Sequence, residues 1–169
     1  MKRAAAGPDL SGITGYELRR AHTLFALHWQ LHFRDTEFPI TPVQGGILLM
    51  LDAPSGQTQA MLARRLGVEA PTLQAAVERL VGLGLVTRER PAGDSRSFHL
   101  RLTERGHAAL AAVRAFGKVR EEVLLAPLSA AERRTLLELL GRIVAHAQGV
   151  VRGGGGRRGK QETSFSEEK

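Results

Sequence analysis

The stretch from Thr58 to Leu102 changes its hydrophobic period halfway along, and this change constrains the fold more than any other feature of the chain. Residues 58–83 place apolar side chains at helical spacing on both sides of Gly67, which predicts two short helices joined by a tight turn. After a Pro-Ala-Gly-Asp turn at residues 91–94, the sequence Phe-His-Leu-Arg-Leu at 98–102 alternates with period two. That alternation predicts a β-hairpin directly after the helix pair.

Further helices are predicted on both sides of this unit. Capping boxes at Thr14, Thr41 and Ser129, and a capping threonine at Thr103, mark four helix starts. The predicted helices lie near 15–36, 42–53, 58–66, 70–83, 104–126 and 130–148. The expected fold class is therefore mainly α with a small β-hairpin wing (α+β). The expected architecture is a winged helix-turn-helix domain flanked by N- and C-terminal helices that serve for dimerisation.

The chain is expected to divide into segments with different roles. We predict a flexible N-terminus at 1–12, dimerisation helices at 13–40 and 104–149, a winged helix-turn-helix region at 41–103, and a disordered tail at 150–169. The tail begins near four consecutive glycines at 153–156, whose backbone entropy opposes a helix.

Composition narrows the function classes. The net charge of +7 favours a polyanion or an anionic surface as partner. With no cysteine, disulfides, thiolate metal sites and cysteine nucleophiles are excluded. No apolar run reaches the roughly 18–20 residues that span a bilayer, and no signal-peptide core is visible near Met1. A cytoplasmic protein without membrane association or cofactor is expected.

The second helix of the pair has two distinct faces. Its predicted buried positions are Leu73, Val77, Leu80 and Val81. The opposite face near its start exposes Thr72, Gln74 and Ala75, where a helix-turn-helix protein reads base edges in the major groove. Gln74 can pair with an adenine edge, and Thr72 can contact a base or a phosphate. An ordinary pair of antiparallel helices is the alternative for this stretch taken alone.

The hairpin and its flanks resemble the MarR family of transcriptional regulators. The resemblance rests on the strand Gly84–Arg88, on Asp94 and Arg96 at the wing tip, and on the Leu-Thr-x-x-Gly restart at 102–106. It covers roughly residues 14–148. The Asp-x-Arg wing followed by Leu-Thr is fairly specific, whereas the helix-turn-helix alone is a weak signal.

The resemblance implies roles for the charged residues of the wing. Arg96 is expected to enter the minor groove and Asp94 to orient it, consistent with the negative potential of a narrow A·T-rich groove. Arg88 and Arg90 are expected nearer the phosphates, with a solvated strand face as the alternative. One departure is Glu69 at the cap of the reading helix, where family members often carry Ser or Thr. Direct base readout is therefore expected to be sparse.

The terminal helices predict a homodimer. The last helix carries apolar residues around a wide arc, more than the edge helix of a monomer needs. In the MarR family such ends interleave across a two-fold axis, which also suits a palindromic site on DNA. The alternative is a monomer that packs these helices on its own core.

Two histidines interrupt the apolar face of the first helix. His28 and His32 are four residues apart, and Trp29 lies on the same continuous arc. One interpretation is a site for a small aromatic or anionic effector, in which Trp29 stacks on the ligand and a histidine hydrogen-bonds to it. A metal pair and a plain interface role are the alternatives; no further ligands complete a metal site.

Together these features predict a sequence-specific DNA-binding transcriptional regulator. We expect a repressor that acts as a homodimer on a pseudo-palindromic operator and is released by a small effector. An effector-independent or architectural DNA-binding protein is the main alternative. An adaptor built on a winged helix, and a hydrolase using a histidine base, fit less well, because the wing is basic and no catalytic residues stand at recognisable spacing.

Overall fold

The computed structural model describes residues 10, 12–53, 58–89 and 99–155, with side chains described through residue 151. The elements in chain order are α1 (Thr14–Phe33), α2 (Pro42–Leu51), α3 (Gln59–Leu66), α4 (Ala70–Gly82), β1 (Val86–Glu89), β2 (His99–Leu102), α5 (Glu104–Leu124) and α6 (Ala130–Gly155). Every predicted helix is present within a few residues of its predicted ends, except at the end of α6. The predicted class, mainly helical with a small hairpin, is confirmed.

The described part of the chain forms two compact units, which are divided between residues 121 and 122. The hydrophobic core belongs to the first unit, where α2 packs on both α3 and α4 and the hairpin follows α4. The largest fully buried side chains are Phe33, Ile47, Leu48, Leu62, Leu73, Leu80, Leu85, Val77, Val86 and Val113. These side chains come from α1 to α5, from β1 and from Leu85 just before β1, so each helix of the helix-turn-helix contributes to the core.

The turn between α3 and α4 is built around Gly67. Gly67 takes the left-handed conformation at φ 66°, and its N–H donates to the carbonyl of Ala63. A glycine adopts this conformation without the steric cost that a Cβ carries.

The predicted buried face of α4 is confirmed for three of its four residues. The fourth, Val81, is 37% exposed, and Ala76 is buried instead, because the buried stripe follows α2 and α3.

The hairpin is antiparallel, with Val86 opposite Leu102 and Arg88 opposite Leu100. Leu100 is buried and Arg101 exposed, as period-two alternation requires. Arg101 forms a cross-strand ion pair of 2.5 Å with Glu89.

The end of the hairpin is tied to α4 through the residues that begin α5. The Thr103 hydroxyl donates to the Gly84 carbonyl at 2.7 Å, and the Thr103 N–H donates to the Leu85 carbonyl at 3.1 Å. The same hydroxyl accepts the Gly106 N–H at 2.9 Å, as predicted for a capping residue. A Cβ at Gly106 would overlap the Leu85 carbonyl oxygen. Only glycine therefore lets α5 pass this close to the strand.

The capping boxes at Thr41 and Ser129 are confirmed, with reciprocal side-chain bonds to Gln44 and Glu132. The Ser129 hydroxyl and N–H hold the pKa of the Glu132 carboxyl below its usual value. The predicted box at Thr14 is wrong. The cap of α1 is Ile13, which makes no side-chain capping bond, so the helix starts one residue before the box requires.

Helix α6 continues to Gly155, seven residues beyond its predicted end. The prediction of a disordered tail is therefore wrong for residues 150–155. An established helix adds residues cooperatively, so each glycine costs only about 1 kcal/mol against propagation. Residues 156–169 and most of 1–12 lie outside the described part of the chain.

Across the described residues, none of the helices combines the length and the apolar character that a membrane span needs.

Replacing Gly106 with Ala is expected to lower the free energy of unfolding by about 1–3 kcal/mol, since the new methyl group meets a backbone oxygen. Gly117→Ala, on the same helix, is the matched control, because a Cβ there meets nothing within 4 Å. It is expected to leave stability unchanged or raise it by up to about 1 kcal/mol. Denaturant titrations at one fixed protein concentration compare the two; equal stabilities would contradict the junction described above.

Candidate nucleic-acid interface and neighbouring aromatic cluster

Helix α4 presents a polar edge to solvent near its N-terminus. Thr72, Gln74 and Ala75 are all exposed, while Leu73 between them is buried. The Gln74 amide nitrogen donates to a Glu78 carboxylate oxygen at 3.1 Å. This bond orients the amide while leaving its carbonyl oxygen available to another donor. The predicted exposure of Thr72, Gln74 and Ala75 is therefore confirmed.

The N-terminus of α4 lacks a side-chain cap. Glu69 occupies the cap position, and its side chain accepts no hydrogen bond from the first turn. Its carboxylate is exposed, as is that of Glu78. Both charges oppose close approach of a polyanion unless basic groups nearby outweigh them.

Basic side chains flank this helix in the sequence. Arg64 and Arg65 lie exposed in the last turn of α3, directly before the turn into α4. Arg88 is exposed on β1, as its predicted role requires. The sequence reasoning missed Arg64 and Arg65, although two adjacent arginines just before Gly67 were a usable signal.

The remaining predicted wing residues, Arg90, Asp94 and Arg96, lie outside the described residues. Their roles stay predictions.

A cavity of about 600 Å³, open to solvent on one side, lies between α1 and α5 in the first unit. Its lining residues are His28, Leu31, His32, Ala112, Ala115, Phe116 and Val119. The two histidines predicted as a pair thus line one cavity, and its other walls are apolar. Such a cavity suits a small, mostly apolar ligand with a few polar groups.

Phe116 of α5 is the ring on which both histidines pack. The His32 ring stacks on it with centroids 3.9 Å apart, and the His28 ring with centroids 5.4 Å apart. The Phe33 ring meets the same phenylalanine edge-on at 5.2 Å. Phe116 therefore forms a wall shared by the cavity and the core.

The placement of Trp29 corrects one prediction. Trp29 is only 4% exposed and does not line the cavity. Its indole N–H donates to the Ile40 carbonyl at 2.8 Å, and its ring fills the space beside Gly45. Because the indole is enclosed by the protein itself, we withdraw the prediction that it stacks directly on a ligand.

Arg120, one turn beyond Phe116 on α5, was not predicted. Its guanidinium carbon lies 5.4 Å from the Trp29 ring, 5.7 Å from the Phe25 ring and 5.9 Å from the Phe116 ring. Spacing along α5 gave no sign of it, because the three rings come from two different helices.

The metal alternative gains no support from the histidine pair. Within the part of the chain that the structure describes, no group of three or more His, Cys, Asp or Glu side chains is placed to hold an ion.

Helices α1, α5 and α6 each leave two or more large apolar side chains exposed in the single chain. On α1 these are Tyr16, Leu18, Leu24, Leu27 and Leu31, on α5 they are Val119 and Val123, and on α6 they are Leu137, Leu139, Ile143, Val144, Val150 and Val151. Exposed apolar residues repeated at helical spacing mark a surface for another protein.

Comparison with known proteins gives a consistent result. The model of the MarR family matches residues 38–97. A protein of Thauera aromatica, named as a candidate transcriptional regulator of the hcr operon, is 30% identical over 135 residues, which are 80% of this chain and 81% of that protein.

Two solved structures share the fold. The PcaV transcriptional regulator from Streptomyces coelicolor, solved with its natural ligand, is 29% identical with a TM-score of 0.74, covering 84% of this chain and 99% of that one. The transcriptional repressor CouR, bound to a 23-mer DNA duplex, is 34% identical with a TM-score of 0.72, covering 83% of this chain and 99% of that one.

Proposed function

Because the chain belongs to the MarR family of transcriptional regulators, we propose that it is a homodimeric repressor that binds a pseudo-palindromic operator and is released by a small effector. The observation that carries this proposal is the exposed edge of α4. Thr72, Gln74 and Ala75 face solvent at the start of the second helix of a helix-turn-helix, where base edges are read.

Binding is proposed to combine limited base readout with many phosphate contacts. Gln74 offers a bidentate amide for an adenine edge. Arg64, Arg65 and Arg88 offer exposed guanidinium groups for phosphates on either side of that helix in sequence. This basic set offsets the exposed carboxylates of Glu69 and Glu78, which are poorly placed for a polyanion.

The wing is proposed to supply the second part of the readout. Arg96 enters the minor groove, where a narrow A·T-rich tract attracts an arginine. Asp94 orients it, and Arg90 binds the neighbouring backbone. CouR, a relative at 34% identity, was solved on a DNA duplex, which supports DNA as the partner.

The dimer is proposed to form through the terminal helices. The exposed leucines of α1 and the apolar residues of α6 need a partner surface, and a second copy supplies an identical one. Two reading helices related by a two-fold axis then match the two halves of a palindromic operator.

The effector is proposed to be a small aromatic or anionic molecule in the cavity between α1 and α5. His28 and His32 are the polar groups in an otherwise apolar lining. The PcaV relative, 29% identical, was solved in complex with its natural ligand, which supports a ligand site in this chain. Such a ligand changes DNA affinity only if it binds one spacing of the reading helices better than the other.

A second candidate is an effector-independent DNA-binding protein. The observation that favours it is the 3.9 Å stack of His32 on Phe116, which gives this histidine a packing role without a ligand. The two candidates differ in whether a small molecule changes operator affinity.

The chain is expected to be a dimer in solution and on DNA, with half-site centres about one helical turn, roughly 10 bp, apart. Duplexes selected from random sequence supply the operator, and light scattering at micromolar concentration gives the mass with and without it. A monomer under both conditions would rule out the dimeric mode.

Arg96→Ala is expected to weaken operator binding by on the order of 1–3 kcal/mol and to leave the fold intact. Gln74→Ala is expected instead to relax base preference at one position of each half-site. Arg34→Ala removes an equal charge at the end of α1 and is the control. Its operator affinity is expected to stay normal apart from the small effect of the lower net charge. Salt titrations measure the operator affinities of all three variants. Normal operator binding by Arg96→Ala would mean that the role assigned to the wing is wrong.

The double substitution His28→Leu and His32→Leu is expected to abolish effector-induced release of operator DNA while preserving DNA binding. Leucine keeps the cavity wall apolar but removes both polar groups. Release is measured by fluorescence anisotropy against a panel of phenolic and benzoic acids, where coupling of about 1–3 kcal/mol is typical. An identical response in both proteins would mean that these histidines are interface residues, and no response to any acid would favour the effector-independent candidate.

A further inference from the structure

Arg105 lies in the first turn of α5, where a cation opposes the dipole of its own helix. Its guanidinium contacts the end of α4 instead, where Nη1 donates to the Leu83 carbonyl at 2.9 Å. Leu83 is the residue directly after α4, so its carbonyl has no partner within that helix. The carboxyl end of a helix carries partial negative charge, which favours a cation there. The position of Arg105 is therefore explained by α4 and not by α5.

The same guanidinium also contacts the connection between α1 and α2. Its Nε lies 3.7 Å from Oε1 of Glu37. Its central carbon lies 5.8 Å from the centre of the Phe38 ring, which packs against the hydrophobic core. The connection is held to α1, because the Trp29 indole donates to the Ile40 carbonyl. Arg105 thus joins the end of α4 to a segment that is fixed by other contacts.

The bonds of Thr103 do not duplicate this link. Thr103 bonds to the carbonyls of Gly84 and Leu85, so it ties the base of the hairpin to α5. Among the hydrogen bonds and ion pairs of the described residues, only those of Arg105 join the α1–α2 connection to the end of α4. The direction of α4 relative to that connection therefore depends on this one side chain.

We propose that Arg105 is a positioning residue for sequence recognition, which fixes the direction of α4 so that Gln74 meets its base edge, without itself contacting DNA. This inference rests on the proposed operator binding. Base readout needs a side chain placed to within about 0.5 Å. Phosphate contacts carry no sequence information and change little when a helix tilts slightly. Loss of the Arg105 link therefore lowers affinity for the operator more than affinity for unrelated DNA.

The competing role for an exposed arginine at this position is a phosphate contact, and Glu37 separates the two roles. If Arg105 binds a phosphate, removal of the Glu37 carboxylate takes away a repelling charge, so DNA affinity rises. If Arg105 positions α4, the Glu37 carboxylate holds the guanidinium in place, so its removal lowers operator affinity. The two roles thus predict changes of opposite sign for Glu37→Gln.

The test measures the affinity of the full-length protein for its selected operator and for a random-sequence duplex of the same length, by fluorescence anisotropy at one salt concentration. Arg105→Gln is expected to lower operator affinity about tenfold, the value of one lost bidentate base contact. Its affinity for the random duplex is expected to fall only about twofold, through the lost charge. Glu37→Gln is expected to lower operator affinity about two- to fivefold, the range of an exposed ion pair, while random-duplex affinity stays equal or rises.

Arg34→Gln and Asp35→Asn are the matched controls. They remove the same charges from a neighbouring exposed ion pair, with atoms 2.7 Å apart, that includes no residue of α4. Both are expected to keep the wild-type ratio of operator affinity to random-duplex affinity. The double variant Glu37→Gln with Arg105→Gln is expected to match Arg105→Gln alone, since Glu37 acts through the guanidinium. Circular dichroism verifies the fold of each variant.

An unchanged ratio of the two affinities in Arg105→Gln overturns the inference, and so does a gain in operator affinity in Glu37→Gln. Full additivity of the two substitutions overturns it as well. If Arg105→Gln does not fold, Glu37→Gln and Arg105→Lys, which keeps the charge but loses the planar fork, decide by the same ratio. These outcomes all leave operator binding by the wild-type protein intact. A wild-type protein that selects no operator would instead refute the proposed function.

Discussion

The first unit depends on the contacts of one side chain, Trp29. Its indole N–H satisfies the Ile40 carbonyl in the connection to α2, and its ring occupies the space that a side chain at Gly45 would need. Phe33 and Phe116 enclose it at 4.7 and 5.6 Å. A buried tryptophan contributes more apolar area than any other side chain, and here its one polar atom is also paired. Helices α1, α2 and α5 are therefore fixed around a single residue.

A second set of contacts, at the start of α5, fixes the position of the hairpin. Thr103 bonds to the carbonyls of Gly84 and Leu85, and Gly106 lets α5 lie against that strand. Arg105 adds a bond to the Leu83 carbonyl at 2.9 Å. The direction in which the hairpin leaves the core is thus set by backbone acceptors at the end of α4. The close packing of α5 against Gly84 and Leu85 requires the short Leu-Thr-x-x-Gly motif, which explains the association of the motif with this fold.

These two constraints meet through α5. Its first turn holds the base of the wing, and Phe116, three turns later, touches Trp29 and both cavity histidines. A rigid helix that contacts both regions is the kind of element through which a bound molecule can bias the position of a DNA-reading unit. The exposed apolar residues of α1 lie on the helix that carries the cavity histidines, so the proposed association of two copies and the proposed occupancy of the cavity involve the same element.

The sequence by itself determined the features that depend on neighbouring residues. These features act over one or two turns: Gly67, the capping boxes at Thr41 and Ser129, and the alternation at 98–102. The helices, the turn and the hairpin were therefore predictable, as was the exposure of Gln74.

Only the tertiary structure decided which role each residue on one face of a helix takes. His28 and Trp29 are neighbours on α1, yet one lines a cavity and the other is buried, because Ile40 and Gly45 lie where the indole packs. The Arg120 guanidinium is likewise surrounded by rings from two helices, and its Nε has no hydrogen-bond partner there. Local periodicity records which side of a helix is apolar, but it carries no information on what that side meets.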